Sequence, residues 1–162
     1  MRGGGTMLQF VETITIDAPP ATVFEVITDL DRYAQWNPWI VDARGDAVEG
    51  GVLEATSRLG ARRLKVRHRI LTRRGDAEFR WCDLGWFTAL AYGERARFLE
   101  PTRRGTAYRV ELTITGIAWR LVKSMYGPDL AVGLAAETAA LKERAEAVQR
   151  ERRAGAPERA RR

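Results

Sequence analysis

The residues best suited to proton chemistry are few. The chain has one histidine, His68, and one cysteine, Cys82. His68 shares its side of an alternating stretch with Leu64, Val66 and Ile70, so it belongs to an apolar strand face. An imidazole there is a candidate general acid or base, because histidine changes charge near neutral pH. The same placement also suits a core histidine that is simply hydrogen-bonded. Asp83 and Tyr108 are the other catalytic candidates, able to bond a carbonyl or hydroxyl, and Glu12 and Ser57 are further inward polar residues. Cys82 is predicted to face away from them, alongside Arg80. One histidine and one cysteine do not make a metal-ligand cluster, so no metal is expected, and no cofactor. Gly3-Gly4-Gly5 precedes the first strand and Gly50-Gly51 fits a hairpin, so neither reads as a phosphate loop.

These residues need a sheet to position them. Ile14 and Ile16 alternate with Thr13, Thr15 and Asp17, the period of a strand buried on one face. Pro19-Pro20 ends that strand, and Pro20 presets the first turn of a helix. Val23, Phe24, Ile27 and Leu30 follow at helical spacing, and Asp31 to Trp36 reads as a second short helix stopped by Asn37-Pro38. Strand alternation then resumes over Trp39–Arg44, Val52–Leu59, Arg62–Leu71, the stretch holding Phe79 and Trp81, Leu90–Leu99, and the stretch from Tyr108 to Thr115. With the first strand the total is seven, consistent with one antiparallel sheet. Glu94, Ala96 and Phe98 point to one inner face near Arg95 and Leu99 to the other, which predicts a bulge. A long C-terminal helix carries Leu130, Leu134, Leu141, Ala145 and Val148 on one face. It is predicted to start at Pro128-Asp129, after a shorter helical turn over Trp119–Met125.

Ile16, Ala18-Pro19, Val23-Phe24, Asp29, Tyr33 and Trp36-Asn37-Pro38, in that spacing, resemble the START-like superfamily. It is also called SRPBCC, or the polyketide cyclase/dehydrase and lipid-transport superfamily. Gly93-Glu94, Leu99-Glu100-Pro101, Gly105-Thr106 and the LKERAEA helix extend the likeness over roughly Leu8 to Val148. The resemblance implies an α+β helix-grip fold: a curved antiparallel sheet wrapped around the long C-terminal helix, with two short helices after strand one and an apolar cavity between sheet and helix. The chain departs from the family pattern at Arg97, where an aromatic residue is usual.

Composition fits one globular domain, with 162 residues, 45% apolar and 30% charged. No apolar run approaches the ~18 residues needed to span a bilayer, and MRGGGTMLQF has no apolar signal core, so a cytoplasmic location is expected. The net charge is +6, and residues 150 to 162, with six arginines and two acids, hold most of it. Basicity concentrated in a tail argues against nucleic-acid binding as the main function, though a tail of this kind is weakly attracted to anionic surfaces. Residues 1–7 and 151–162 are predicted to be disordered and 8–150 to form the domain. Oligomeric state is not legible.

Gly133, Ala135, Ala136, Ala139 and Ala140 are small, which predicts space between helix and sheet. An empty void of ~300 Å³ at ~24 cal/mol per Å³ would cost ~7 kcal/mol, so large side chains, water or a ligand must fill it. Trp36, Trp39, Trp81, Trp86 and Trp119 supply rigid walls, or simply core. The expected ligand-contacting set takes Trp36 and Trp39 from the first loop, with Leu53, Leu64, Val66 and His68 from the next two strands. Phe79, Trp81, Phe98, Tyr108 and Leu112 join from the last three, and Leu134 and Leu141 from the helix. The leading expectation is a hydrophobic small molecule, such as a lipid, polyketide or aromatic metabolite, held in that cavity. The resemblance also allows a polyketide cyclase or aromatase using the same cavity, or a chaperone-cofactor or stress-response protein acting through its surface.

Overall fold

A computed structural model describes residues 7–159, with side chains described through residue 155. Seven strands form one antiparallel sheet: β1 (Met7–Ile16), β2 (Ile40–Gly45), β3 (Val52–Leu59), β4 (Arg62–Arg74), β5 (Glu78–Leu84), β6 (Tyr92–Thr102) and β7 (Gly105–Thr115). Their order is β1-β7-β6-β5-β4-β3-β2, so only the β1–β7 pair is made by strands distant in sequence. α1 (Pro20–Thr28) and α2 (Tyr33–Trp36), separated by a 3-10 turn at Leu30–Arg32, lead from β1 to β2. α3 (Trp119–Arg159) crosses the inner face of the sheet, touching β1 most extensively. This is the helix-grip arrangement.

Local chemistry sets the element boundaries. Pro19 caps α1 in an extended conformation (φ −65°, ψ 154°), as a residue before proline must. Asn37 ends α2, and its side-chain oxygen accepts from the Trp39 and Ile40 amides at 3.0 and 2.8 Å, an Asx turn that launches β2. The sheet bulges in β2 between Ile40 and Asp42 and in β4 between Ile70 and Thr72. The bulge predicted in β6 is absent, since that strand pairs in unbroken register with both neighbours. Its inner residues are Arg95, Arg97 and Leu99, and Phe98 lies on the outer face.

α3 differs from its predicted form at both ends. Pro128 does not start it, for the helix is continuous from Trp119. It also runs past residue 150, where a disordered tail was predicted. Arg152 bonds Glu25 at 2.6 Å and Arg153 lies 3.7 Å from Asp17, so acids on α1 and after β1 receive that extension. The first six residues, and the side chains beyond 155, lie outside the described residues.

Candidate functional site

The helix–sheet interior has a closed end and an open end. At the closed end, β6 aims Arg95 and Arg97 inward and α3 returns Glu137 between them. Arg95 Nη1 donates to Glu137 Oε2 at 3.0 Å, and Arg97 Nη2 to Oε1 at 2.9 Å. All three are buried, with exposures of 5% for Arg95, 0% for Arg97 and 3% for Glu137. Arg95 lies 4.1 Å over the Trp39 ring and Arg97 lies 4.0 Å over the Trp81 ring, so indole faces supply part of the solvation the cations have lost. Of the small helix residues, Gly133 serves this packing, whereas Ala135 and Ala139 are exposed and face away from the sheet. A Cβ on Gly133 would sit 2.6 Å from the Trp39 ring, so glycine lets the indole lie flat against α3. The volume predicted between helix and sheet is thus taken, at this level, by tryptophan and arginine.

Two guanidiniums against one carboxylate leave this cluster with an excess positive charge. Nε of Arg95, Nε and Nη1 of Arg97, and Nε1 of Trp39 are buried donors without hydrogen-bond partners. Burial alone would raise the Glu137 carboxyl. The charges of Arg95 and Arg97, with hydrogen bonds from Arg97 and Asn37, hold it below the ordinary carboxylate range instead. Burial lowers Arg95. Tyr33, whose hydroxyl donates to the Ile27 carbonyl at 2.6 Å, is pushed by burial up to about 12. Tyr108 is likewise raised by burial. On β7 it pairs with Leu99, one inner position along from the Arg97–Val110 pair.

The open end lies along the same strands toward the β3–β4 turn. His68 and Asp83 are partners across the β4–β5 ladder, with His68 Nδ1 3.0 Å from Asp83 Oδ1. The distance is that of an ion pair, but the ring N–H is not aligned for a hydrogen bond. His68 lies 5.6 Å from the Trp81 ring, above the arginine layer. A side chain at Gly93 would overlap the Asp83 carboxylate, so glycine there makes room for it. Val66 and Asp83 are half-buried and Leu64 is 47% exposed, so solvent reaches this end.

Of the expected contact residues, Trp39, Leu53, His68, Phe79, Trp81, Tyr108, Leu112, Leu134 and Leu141 are buried in the interior. Leu64 and Val66 stand at its open end. Trp36 is half-buried, edge-on to Tyr33 at 5.1 Å. Phe98 is placed elsewhere, between Arg80 and Arg109 on the outer face. It lines an open hollow there of about 490 Å³, with Thr13, Thr15 and Glu100. A second hollow of about 250 Å³ lies between Thr28–Asp31 and Gly45–Val48, also outside the helix–sheet interior. Trp86 is 85% exposed and walls nothing. Among the described residues no metal-binding group of His, Cys, Asp or Glu occurs, and no helix is long and apolar enough to cross a membrane.

Sequence reasoning missed Arg95 and Glu137. Their signal was present: Arg95, Arg97 and Leu99 alternate, and Glu137 continues the inner stripe of Leu130, Leu134 and Leu141. Inward arginine is rare enough to be discounted until a carboxylate is placed opposite.

Residues 7–146 match the family described as polyketide cyclase / dehydrase and lipid transport. The chain belongs to that family. Solved structures of similar fold include the Zhui aromatase/cyclase from Streptomyces sp. R1128, at 16% identity and TM-score 0.68 over 86% of this chain and 94% of that one. The di-domain aromatase/cyclase StfQ of the steffimycin biosynthetic pathway matches at 13% identity and TM-score 0.69, over 92% of this chain and 52% of its own. Ara h 8.0201 matches at 16% identity and TM-score 0.67, over 86% of this chain and 97% of its own. At such identities the likeness is one of fold. No curated protein matches the sequence significantly.

Proposed function

We propose that the protein binds a small, largely apolar molecule that carries oxygen acceptors, taken in at the open end of the helix–sheet interior. The observation that carries this reading is the excess buried positive charge of Arg95, Arg97 and Glu137, together with its unpartnered N–H groups. Buried donors without acceptors are costly, and a carbonyl, carboxylate or enolate oxygen relieves that cost. The apolar body of such a guest fits against Leu64, Val66 and the indole faces, and its oxygens point toward the guanidiniums. Membership of a family described by cyclase, dehydrase and lipid-transport members supports the same class of ligand.

The test is titration with a fluorescent anionic aromatic probe, 1-anilinonaphthalene-8-sulfonate, against its uncharged parent, N-phenyl-1-naphthylamine. Saturable one-to-one binding of the anion, weakened at least ~10-fold by Arg95→Met, is the expected result. Equal affinity for both probes, or no effect of the substitution, would overturn the reading.

The His68–Asp83 pair favours a second, enzymatic reading, a cyclase-type activity. With the Asp83 carboxylate 3.0 Å from its Nδ1 as a charge partner, His68 takes a proton from a carbon flanked by two carbonyls, and the resulting enolate oxygen is stabilised by the arginine donors. A 1,3-diketone probe in deuterated water reports this directly by NMR. Enhanced exchange at the central carbon, lost in His68→Gln, supports the activity; the same rate in both proteins removes His68 from it.

A further inference from the structure

The outer face of the sheet gathers cations on β2, β3 and β4. Arg63, Lys65, Arg67 and Arg69 alternate with the inward Leu64, Val66, His68 and Ile70, so β4 turns four cations outward. Arg58 stands directly opposite Arg63 across the β3–β4 ladder, and Arg44 opposite Glu54 across β2–β3. All six cations are exposed. Two acids face the same way: Asp42 pairs with Arg44 at 3.5 Å, and Glu54 with Lys65 at 2.5 Å. Arg58, Arg63, Arg67 and Arg69 form no ion pair among the described residues. The next acid across the sheet from Arg69 is Glu94, beyond Cys82, and Arg80 already bonds it at 3.0 Å. The tail carries most of the net charge, but the fold sorts the domain's own charges by face.

Such a row works against stability, because like charges directly opposite on neighbouring strands repel. Edge protection does not account for it, since β4 is an inner strand between β3 and β5. We infer that this face binds the phosphate backbone of a nucleic-acid duplex, without sequence preference. The planar fork of arginine suits phosphate oxygens. Same-face residues on a strand lie about 7 Å apart, so the row from Arg63 to Arg69 covers about 20 Å. One strand of a duplex presents about six phosphates over that length. A bilayer needs aromatic or aliphatic anchors below its headgroups, and a protein partner needs an apolar centre. The outward neighbours of the row are Val52, Thr56, Cys82 and Leu84, and none of them is exposed. They include no aromatic ring on which unpaired bases could stack, which selects a duplex over a single strand. The surface lies across the sheet from the interior site and does not depend on it.

Full-length protein is titrated into a fluorescently labelled DNA duplex of about 25 base pairs, with anisotropy as the readout. Micromolar binding to duplexes of unrelated sequence is expected in low salt, falling steeply as salt rises. The double variant Arg63→Thr, Arg67→Thr should weaken it at least ~10-fold and reduce the salt slope by about two. Its thermal midpoint should be unchanged or raised, since repulsion is relieved. Arg63→Lys with Arg67→Lys should keep the salt slope, because the charges remain. No binding to the duplex overturns the proposal. Binding undiminished in the threonine variant overturns it too, assigning the attraction to the arginine-rich C-terminus. So does polyglutamate that displaces the duplex as well as unlabelled duplex does at equal charge, because the occupant is then an acidic chain. Phosphatidylglycerol vesicles that bind the wild type, and not the threonine variant, while duplex goes unbound also overturn it.

Discussion

Glu137 is the residue on which the interior depends most. It is the hydrogen-bond acceptor shared by Arg95 and Arg97, and removing its charge strands two buried cations. Glu137→Gln should therefore destabilise the fold by about 3–5 kcal/mol in urea denaturation. Replacing the whole cluster should behave differently: the triple variant Arg95→Met, Arg97→Met, Glu137→Leu should fold within about 1 kcal/mol of the wild type, or above it, and lose the anionic probe. The carboxyl also sets an acid limit. Its folded value lies below the ordinary 4.5, so its contribution is complete above that pH and is lost as pH falls through the lower, folded value. Thermal midpoints measured from pH 7 to 3 should show this slope in the wild type and a shallower one in Glu137→Gln. Tyr33 has the opposite sign. Its hydroxyl is raised from 10.0 to about 12, so its stabilisation is present below pH 10 and is lost as pH rises toward 12; Tyr33→Phe should flatten that alkaline decline.

At the scale of elements, the contact between α3 and the β2 entry is the tightest constraint. Gly133→Ala gains helix propensity of about 1 kcal/mol but drives a methyl into the Trp39 ring. The overpacking should win, with a net loss of about 1–3 kcal/mol and an altered near-UV signal from the displaced indole. Strand number, the two short helices and the long terminal helix were all legible, because period-2 and period-3.6 patterns and the proline boundaries are local signals. Two features were not. The inner face of β6 was obscured because its inward positions are arginines, which read as solvent-facing until Glu137 is set against them. The continuity of α3 through Pro128 was obscured because proline marks a boundary locally, while packing of Leu130 and Leu134 against the sheet holds the helix together.

For the whole molecule, the sequence led to the family and to most of the wall of the interior, and it misjudged what fills that interior. Apolar walls around small helix residues suggested an oily void. The structure places a charged floor there, and among the expected lipids, polyketides and aromatic metabolites its unpartnered donors favour a guest with oxygen acceptors. Binding only to the native state adds stability as the logarithm of ligand concentration, so a guest at a hundred times its Kd should add about 2.7 kcal/mol. A matched carboxylate should raise the thermal midpoint, and the corresponding hydrocarbon should not.

The strand order has a consequence for biosynthesis. Met7 pairs with Thr115 and Ile16 with Thr106, so the first strand out of the ribosome must wait for the last. Until β7 emerges, β1 is an unmatched ribbon with an oily side. Loop closure over such a span slows acquisition of the native state and prolongs the interval in which nascent chains can stick to one another.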